Sequence, residues 1–171
     1  MKSILETERL LLRQLTTDDA PFIIELVNSP GWLTYIGDRH IKTVVQAEAY
    51  LLNGPLASYD ANGFGLYLVE LKTDRTPIGL CGLLKRDSLD HPDIGFAFLP
   101  AYTGKGYAVE IATATMAFAK DTLRLPVVMA IVLPTNYPSI KLLGKLGLTF
   151  REPITSPGTD EELMLYVNHF G

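Results

Sequence analysis

The sequence predicts an α/β fold of the α+β kind, a mixed central sheet of about seven strands with about four helices on both of its faces. Three observations point there. Apolar runs of strand length recur at Phe64 to Lys72, Pro77 to Arg86, Asp93 to Leu99 and Val127 to Leu133. Longer stretches with apolar residues at helical spacing alternate with them, at Thr43 to Ser58 and Gly106 to Thr122. No repeat or low-complexity tract interrupts the series.

Residues 9 to 15 alternate weakly and are rich in Leu, which suits a first strand. Thr17-Asp18-Asp19-Ala20-Pro21 reads as a helix start with an acidic first turn, and that helix should stop near Ser29-Pro30-Gly31. Behind a Thr43 cap, Val44, Ala47, Tyr50 and Leu51 share a helical face, so a second helix runs to about Ser58 and breaks at Asp60 to Gly63. Three consecutive strands follow, with Thr73-Asp74-Arg75 a turn and Ser88 to Pro92 a loop. A long helix from Gly106 to Thr122 and a strand from Val127 come next. A helix from Ser139 to Leu146, stopped by Gly147, and strands near 148 to 153 and 162 to 169 complete the chain.

The 171 residues fit a single domain, 1–171; a chain of about 150 residues already buries roughly 70% of its unfolded surface. Fifteen Lys and Arg against 19 Asp and Glu give a net charge of −4, so no basic field holds a polyanion and nucleic acid is not expected as a ligand. The lone cysteine, Cys81, lies in an apolar run without a charged neighbour, which excludes an internal disulfide and argues for a small buried hydrophobe rather than a nucleophile. The first residues carry charge where a signal peptide would be apolar, and no run reaches the ~20 apolar residues of a membrane span. The expectation is a cytoplasmic protein with no membrane association.

The segment with most chemical content is Leu99-Pro100-Ala101-Tyr102-Thr103-Gly104-Lys105-Gly106-Tyr107-Ala108. A strand-like run breaks at a proline, passes two closely spaced glycines and opens the long helix. Glycines let backbone approach an anion closely, and the free N–H groups of a helix's first turn favour negative charge. A nucleotide-triphosphate loop would need Gly and Ser or Thr where Leu99 and Gly106 stand, and a dinucleotide fingerprint would need Gly at Val109. A pyrophosphate cradle of a third kind remains, beside the plainer reading of a bent strand-to-helix turn.

Gly104-Lys105-Gly106-Tyr107-Ala108 resembles the acyl-CoA loop of the Gcn5-related N-acetyltransferases (GNAT), whose pattern is Gln or Arg, two free positions, Gly, one free position, then Gly or Ala. Thr103, Gly106 and Ala108 take those places, so the first departs from the pattern. Asn136-Tyr137-Pro138-Ser139, continuing to Lys145-Leu146-Gly147-Leu148, resembles the same family's second signature. Glu6-Thr7-Glu8-Arg9-Leu10-Leu11-Leu12-Arg13 is similar to the opening of its ribosomal-protein N-terminal acetyltransferase branch. The resemblance spans nearly the whole chain. It implies a mostly antiparallel sheet whose fourth and fifth strands splay apart to admit the pantetheine arm, and acetyl-CoA as cosubstrate.

Acetyl transfer to an amine needs a proton acceptor, a polarised carbonyl and a leaving thiol. Asp93 opens the fourth strand, where family members commonly place a carboxylate, acting directly or through water. With period two, Asp93, Gly95, Ala97 and Leu99 share a face, and the two small residues could leave space beside the carboxylate; the plain alternative is a turn end or an ion pair. His91 has a more suitable intrinsic pKa but sits in a Pro-flanked loop. The backbone N–H near Phe98 or Leu99 matches the family's carbonyl donor. Leu143 occupies the position of the tyrosine that usually protonates the leaving thiolate, so Ser139 or Tyr137 would substitute, or the thiolate would leave unaided. Ser139 equally suits a helix N-cap. Asn136 would hold the pantetheine amide or a water, unless it only turns the chain. Lys105, Lys141 and Lys145 would meet phosphates or simply be solvated. No His, Cys or carboxylate cluster has metal-ligand spacing, so no metal is expected.

Between the first two helices, Trp32, Tyr35 and Arg39 are the acceptor-pocket candidates: an aromatic wall and a cation for a substrate carboxylate, or alternatively packing and an Arg39–Asp38 pair. The sequence thus predicts an acetyl-CoA-dependent N-acetyltransferase working by direct amine attack in a ternary complex. Its acceptor would be an amine-bearing small molecule or a protein N-terminus, and its state monomer or homodimer. The rivals are an acyl-CoA-binding regulatory module with weak catalysis and an acyltransferase using a longer acyl-CoA.

Overall fold

Ser3–Glu6 (β1) and Leu10–Arg13 (β2) form an antiparallel hairpin closed by the Thr7 N–H donating to the Leu10 carbonyl at 2.9 Å. The sequence gives one strand here. β1 escapes it because this short edge strand is nowhere fully buried and carries no apolar run. The computed structural model describes residues 2–170.

Thr16 and Asp19 cap the next segment reciprocally, through a 3-10 turn at Thr17–Asp19 into α1, Ala20–Val27. Pro30 then starts a helix rather than ending one. Ser29 is the N-cap and α2 spans Pro30–Tyr35, because a proline in the first helical position gives up an N–H that would have no partner anyway. Thr43 and Gln46 form a second capping box before α3, Val44–Leu51. A wide π turn at Leu52–Leu56 carries Pro55, whose missing N–H would break an α ladder, and α4 continues over Ala57–Asn62 to Gly63, in the left-handed region at φ +79°. The second predicted helix therefore runs four residues further than expected, with a kink.

The remaining elements are β3 (Leu66–Leu71), β4 (Pro77–Leu84), β5 (Asp93–Phe98), α5 (Tyr107–Asp121), β6 (Val127–Val132), α6 (Tyr137–Lys145), β7 (Thr149–Thr155) and β8 (Glu162–His169). All eight strands join one sheet in the order β1-β2-β3-β4-β5-β6-β8-β7. Every pairing is antiparallel except β5 with β6, which α5 connects as a crossover. These two strands meet at one residue pair, Asp93 with Met129, beside the Met129 N–H to Pro92 carbonyl bond of 2.9 Å. Past that point they part, leaving a cleft that widens toward Phe98 and Val132.

Helices cover both faces. Ile78, Cys81, Leu83 and Ile94 pack with Ile111, Ala112, Met116 and Leu143 on the side of α5 and α6. Leu68, Leu80 and Leu99 pack with Phe22, Ile23, Leu26, Ala47 and Leu51 on the side of α1 and α3. Among the described residues no helix is long and apolar enough to cross a membrane.

Candidate active site

Both parallel strands run into a helix at the open end of the cleft, so the first turns of α5 and α6 stand at its mouth, where the sheet leaves donors and positive dipole ends unopposed. The loop before α5 takes its shape from two glycines at positive φ, Gly104 at +73° and Gly106 at +82°, the latter serving as N-cap. A Cβ at Gly104 would meet nothing within 4 Å. The Thr103 hydroxyl turns back and donates to the Pro100 carbonyl at 2.9 Å, bracing the turn rather than facing outward. Tyr107 and Ala108 form the half-buried first turn of α5, and Lys105, Lys141 and Lys145 are exposed.

At α6 the cap is Asn136, not Ser139: the Asn136 Oδ1 accepts the Ser139 N–H at 3.3 Å, and the helix starts two residues earlier than predicted. This leaves the Asn136 carboxamide N–H groups and the half-buried Ser139 hydroxyl as groups the helix does not need. Tyr137 is 71% exposed, and Leu143, in the place of the family's tyrosine, is a core side chain.

Along β5 the strand alternation decides which backbone donors are free. The Leu99 N–H is already committed to the Ile78 carbonyl at 2.9 Å, which corrects its expected role as a carbonyl donor. Its partners in the same phase turn toward β4, whereas the N–H groups of Phe96 and Phe98 point across the cleft where β6 has departed.

Asp93 lies at the closed apex, 1% exposed. Arg86 donates through Nε to both carboxylate oxygens, at 3.0 and 3.2 Å. Burial pushes the carboxyl up to about 6 against the opposing pull of Arg86. The space foreseen beside it is filled, since a Cβ at Gly95 would lie 2.9 Å from Leu84 Cδ1. His91 is half-buried in the loop just before it.

The three acceptor candidates differ in exposure. Trp32 is buried in the α1–α3 packing, its indole N–H without a partner among the described residues, while Tyr35 is half-buried and Arg39 exposed. Asp38 engages the His40 backbone N–H at 2.8 Å rather than Arg39. Cys81 is buried against the Thr115 hydroxyl, 3.4 Å away, and burial pushes its thiol up to about 12, which removes it as a nucleophile.

This arrangement has relatives. The acetyltransferase (GNAT) domain family matches residues 9–149, which takes in β2, the loop after β5 and the whole of α6. The chain belongs to the GNAT acetyltransferase family. As a GNAT protein it is an acetyltransferase. It is 32% identical over 146 residues to the N-acetyltransferase p20 of Bacillus licheniformis, covering 84% of this chain and 80% of that one. An acetyltransferase structure from Agrobacterium tumefaciens matches with a TM-score of 0.82 at 27% identity, over 99% of this chain and 95% of that one. RimL, a ribosomal α-N-protein acetyltransferase in complex with coenzyme A, shares the fold with a TM-score of 0.84 at 13% identity, over 98% of each chain.

Two side chains at this GNAT site carried no local signal. Arg86 reaches Asp93 across a hairpin, and Arg9 reaches the glycine loop from the turn just before β2, with Nη1 donating to the Lys105 carbonyl at 3.1 Å. Their positions follow from sheet register, which short motifs do not encode.

Proposed function

We propose that this protein transfers the acetyl group of acetyl-CoA to a primary amine by direct attack in a ternary complex. The observation that carries the reading is the cleft between β5 and β6, with free strand donors on its wall and two helix N-termini at its mouth. The pyrophosphate rests on the backbone N–H groups of Gly104 to Ala108, and the pantetheine arm runs down the cleft along β5. Asn136 holds a pantetheine amide with its carboxamide N–H groups.

Strand spacing supports separate roles for the two donors on β5. Phe98 is five residues from Asp93, roughly 16 Å along the strand, but Phe96 is only three away, roughly 10 Å. A thioester carbonyl served by a base at the apex therefore sits on the Phe96 N–H, and the Phe98 N–H takes a pantetheine carbonyl. Asp93 accepts the amine proton through a water, because it is buried and both carboxylate oxygens are held by Arg86. A carboxyl near 6 is a stronger base than an ordinary aspartate and still ionised at neutral pH. The amine nitrogen bonds to the acetyl carbon, the C–S bond breaks, and the CoA thiolate takes a proton from Ser139 or from water.

The acceptor is an amine-bearing small molecule or a protein N-terminus in the cytoplasm, approached past Tyr35 and Arg39; RimL's action on a protein α-amine supports the second class. The core leucine in place of the acid tyrosine favours one rival, a CoA-binding module without turnover.

The test is thermal unfolding with acetyl-CoA at about a hundred times its dissociation constant, where linkage gives roughly 2.7 kcal/mol and a rise of about 5 to 11 °C. That rise, absent with ATP or NAD, followed by turnover on an amine panel, is the expected result. No rise would sink the cosubstrate; a rise with no turnover on any amine would leave the module.

A further inference from the structure

Arg9 stands at the junction of three segments. Its own backbone is pinned from outside, with the carbonyl accepting the Lys72 N–H at 2.8 Å. Its side chain donates through Nε to Glu110 Oε1 at 2.7 Å and through Nη1 to the Lys105 carbonyl at 3.1 Å, and its Cζ lies 4.3 Å from the centre of the Tyr107 ring. Glu110, in the first turns of α5, also accepts the Arg9 backbone N–H at 3.0 Å and the Thr7 hydroxyl. Nη2 faces Gly106, 3.3 Å from where a Cβ would stand.

The orientation of one peptide makes this arrangement consequential. In a trans peptide the carbonyl and the following N–H point in opposite directions. Because Arg9 draws the Lys105 carbonyl inward, the Gly106 N–H must point away from Arg9, out of the loop. Arg9 thereby sets the direction of a donor at the head of α5. Its charge is met by Glu110, so attraction of a distant anion is not what it supplies. Thr103, whose hydroxyl is spent on Pro100, supplies no such brace to the Lys105 peptide.

We infer that Arg9 is the positioning residue of the phosphate loop, holding from the turn before β2 the peptide orientation that receives the pyrophosphate of CoA. The inference rests on the reading of 103–108 as the CoA cradle, and its test separates the two. Calorimetry would compare CoA with pantetheine, which lacks the nucleotide and pyrophosphate, on the wild-type chain and on Arg9→Gln, Arg9→Lys and Glu110→Gln. Losing one oriented N–H bond to a charged phosphate corresponds to roughly a tenfold loss of affinity.

Arg9→Gln is expected to weaken CoA by that factor while pantetheine binding stays unchanged. Arg9→Lys should not restore it, since a single ammonium cannot span Glu110 and the Lys105 carbonyl in one plane as the guanidinium fork does. Should Arg9→Gln fail to fold, Arg9→Lys gives the same reading, and Glu110→Gln, which frees the Arg9 charge but not the Lys105 carbonyl, is the control that should not weaken CoA. Equal losses for both ligands, or none for CoA, would overturn the inference. A wild-type chain that binds neither ligand would instead overturn the cradle itself, and the inference with it.

Discussion

Arg13 and Asp19 face each other through two parallel hydrogen bonds, Nη1 to Oδ2 at 3.0 Å and Nη2 to Oδ1 at 2.8 Å, with both side chains about nine-tenths buried. The same guanidinium donates through Nε to Glu70 at 3.1 Å, and Asp19 caps the Thr16 N–H at 2.8 Å. The pair therefore ties β2 to β3 and to the start of α1. Removing Arg13 strands the buried Asp19 carboxylate, whereas removing the Asp19 charge leaves Arg13 its bond to Glu70. Arg13→Met is therefore expected to cost about 3 to 5 kcal/mol and Asp19→Asn about 1 to 3 kcal/mol, measured as a lower urea midpoint at unchanged slope. A loss under about 1 kcal/mol, the range of surface pairs, would show that water reaches the pair.

The Asp93 carboxyl gives stability a pH dependence of unusual sign. An unfolded aspartate titrates near 3.9, and in the fold burial pushes Asp93 up to about 6. Between those values the folded chain binds the proton more tightly, so the contribution of this group is complete below about pH 4 and is lost as pH rises through 6. Two pKa units correspond to about 3 kcal/mol. Asp38, Asp74 and Glu110 are shifted downward and act oppositely, so the quantity to measure is the wild-type stability minus that of Asp93→Asn. That difference should fall by about 3 kcal/mol from pH 4 to pH 7. In activity, the rising limb of kcat/KM near pH 6 should vanish in the same variant; a limb that survives would assign the base elsewhere.

What could be read from the chain depended on how local the physics was. The strands of the central sheet announce themselves because Ile78 to Leu83 and Val127 to Ala130 are buried on both faces and need apolar residues throughout. The glycine loop was legible because Gly104 and Gly106 occupy backbone conformations that other residues avoid. Pro30 misled for the opposite reason: proline's local preference is to stop a helix, and this one sits at a first turn. The loss of Leu99 as a donor depends on β4–β5 register, a long-range fact. Arg9, Arg86 and the burial of Asp93 likewise exist only once distant strands are side by side.

Gly82 and Gly31 should respond oppositely to the same change. A Cβ at Gly82 would stand 2.1 Å from the Gly65 carbonyl oxygen and 2.8 Å from Leu66 Cα, both backbone, whereas one at Gly31 meets nothing within 4 Å. Gly82→Ala must push β3 away from β4 and is expected to cost about 3 kcal/mol or more, at the upper end of overpacking effects. Gly31→Ala, inside α2, should be stabilising by about 0.5 to 1 kcal/mol. Thermal midpoints moving in the same direction would contradict the close β3–β4 approach.

Gly104 and Gly106 give a graded test of the loop. Both hold positive φ, so alanine at either costs roughly 1 to 2 kcal/mol in the folded chain, but the surroundings differ. At Gly104 a methyl enters open space; at Gly106 it would stand 3.3 Å from Arg9 Nη2, so the guanidinium must give way and its bond to the Lys105 carbonyl is weakened. Backbone strain alone lowers the ligand-free midpoint in both variants. Loss of peptide orientation also lowers the gain from CoA, and falls on Gly106→Ala. The rise in midpoint at a fixed CoA concentration, each variant referred to its own ligand-free value, should therefore be alike for the wild type and Gly104→Ala and smaller for Gly106→Ala. The same rise in all three proteins would mean that CoA does not rest on this loop, whatever the cleft between β5 and β6 holds.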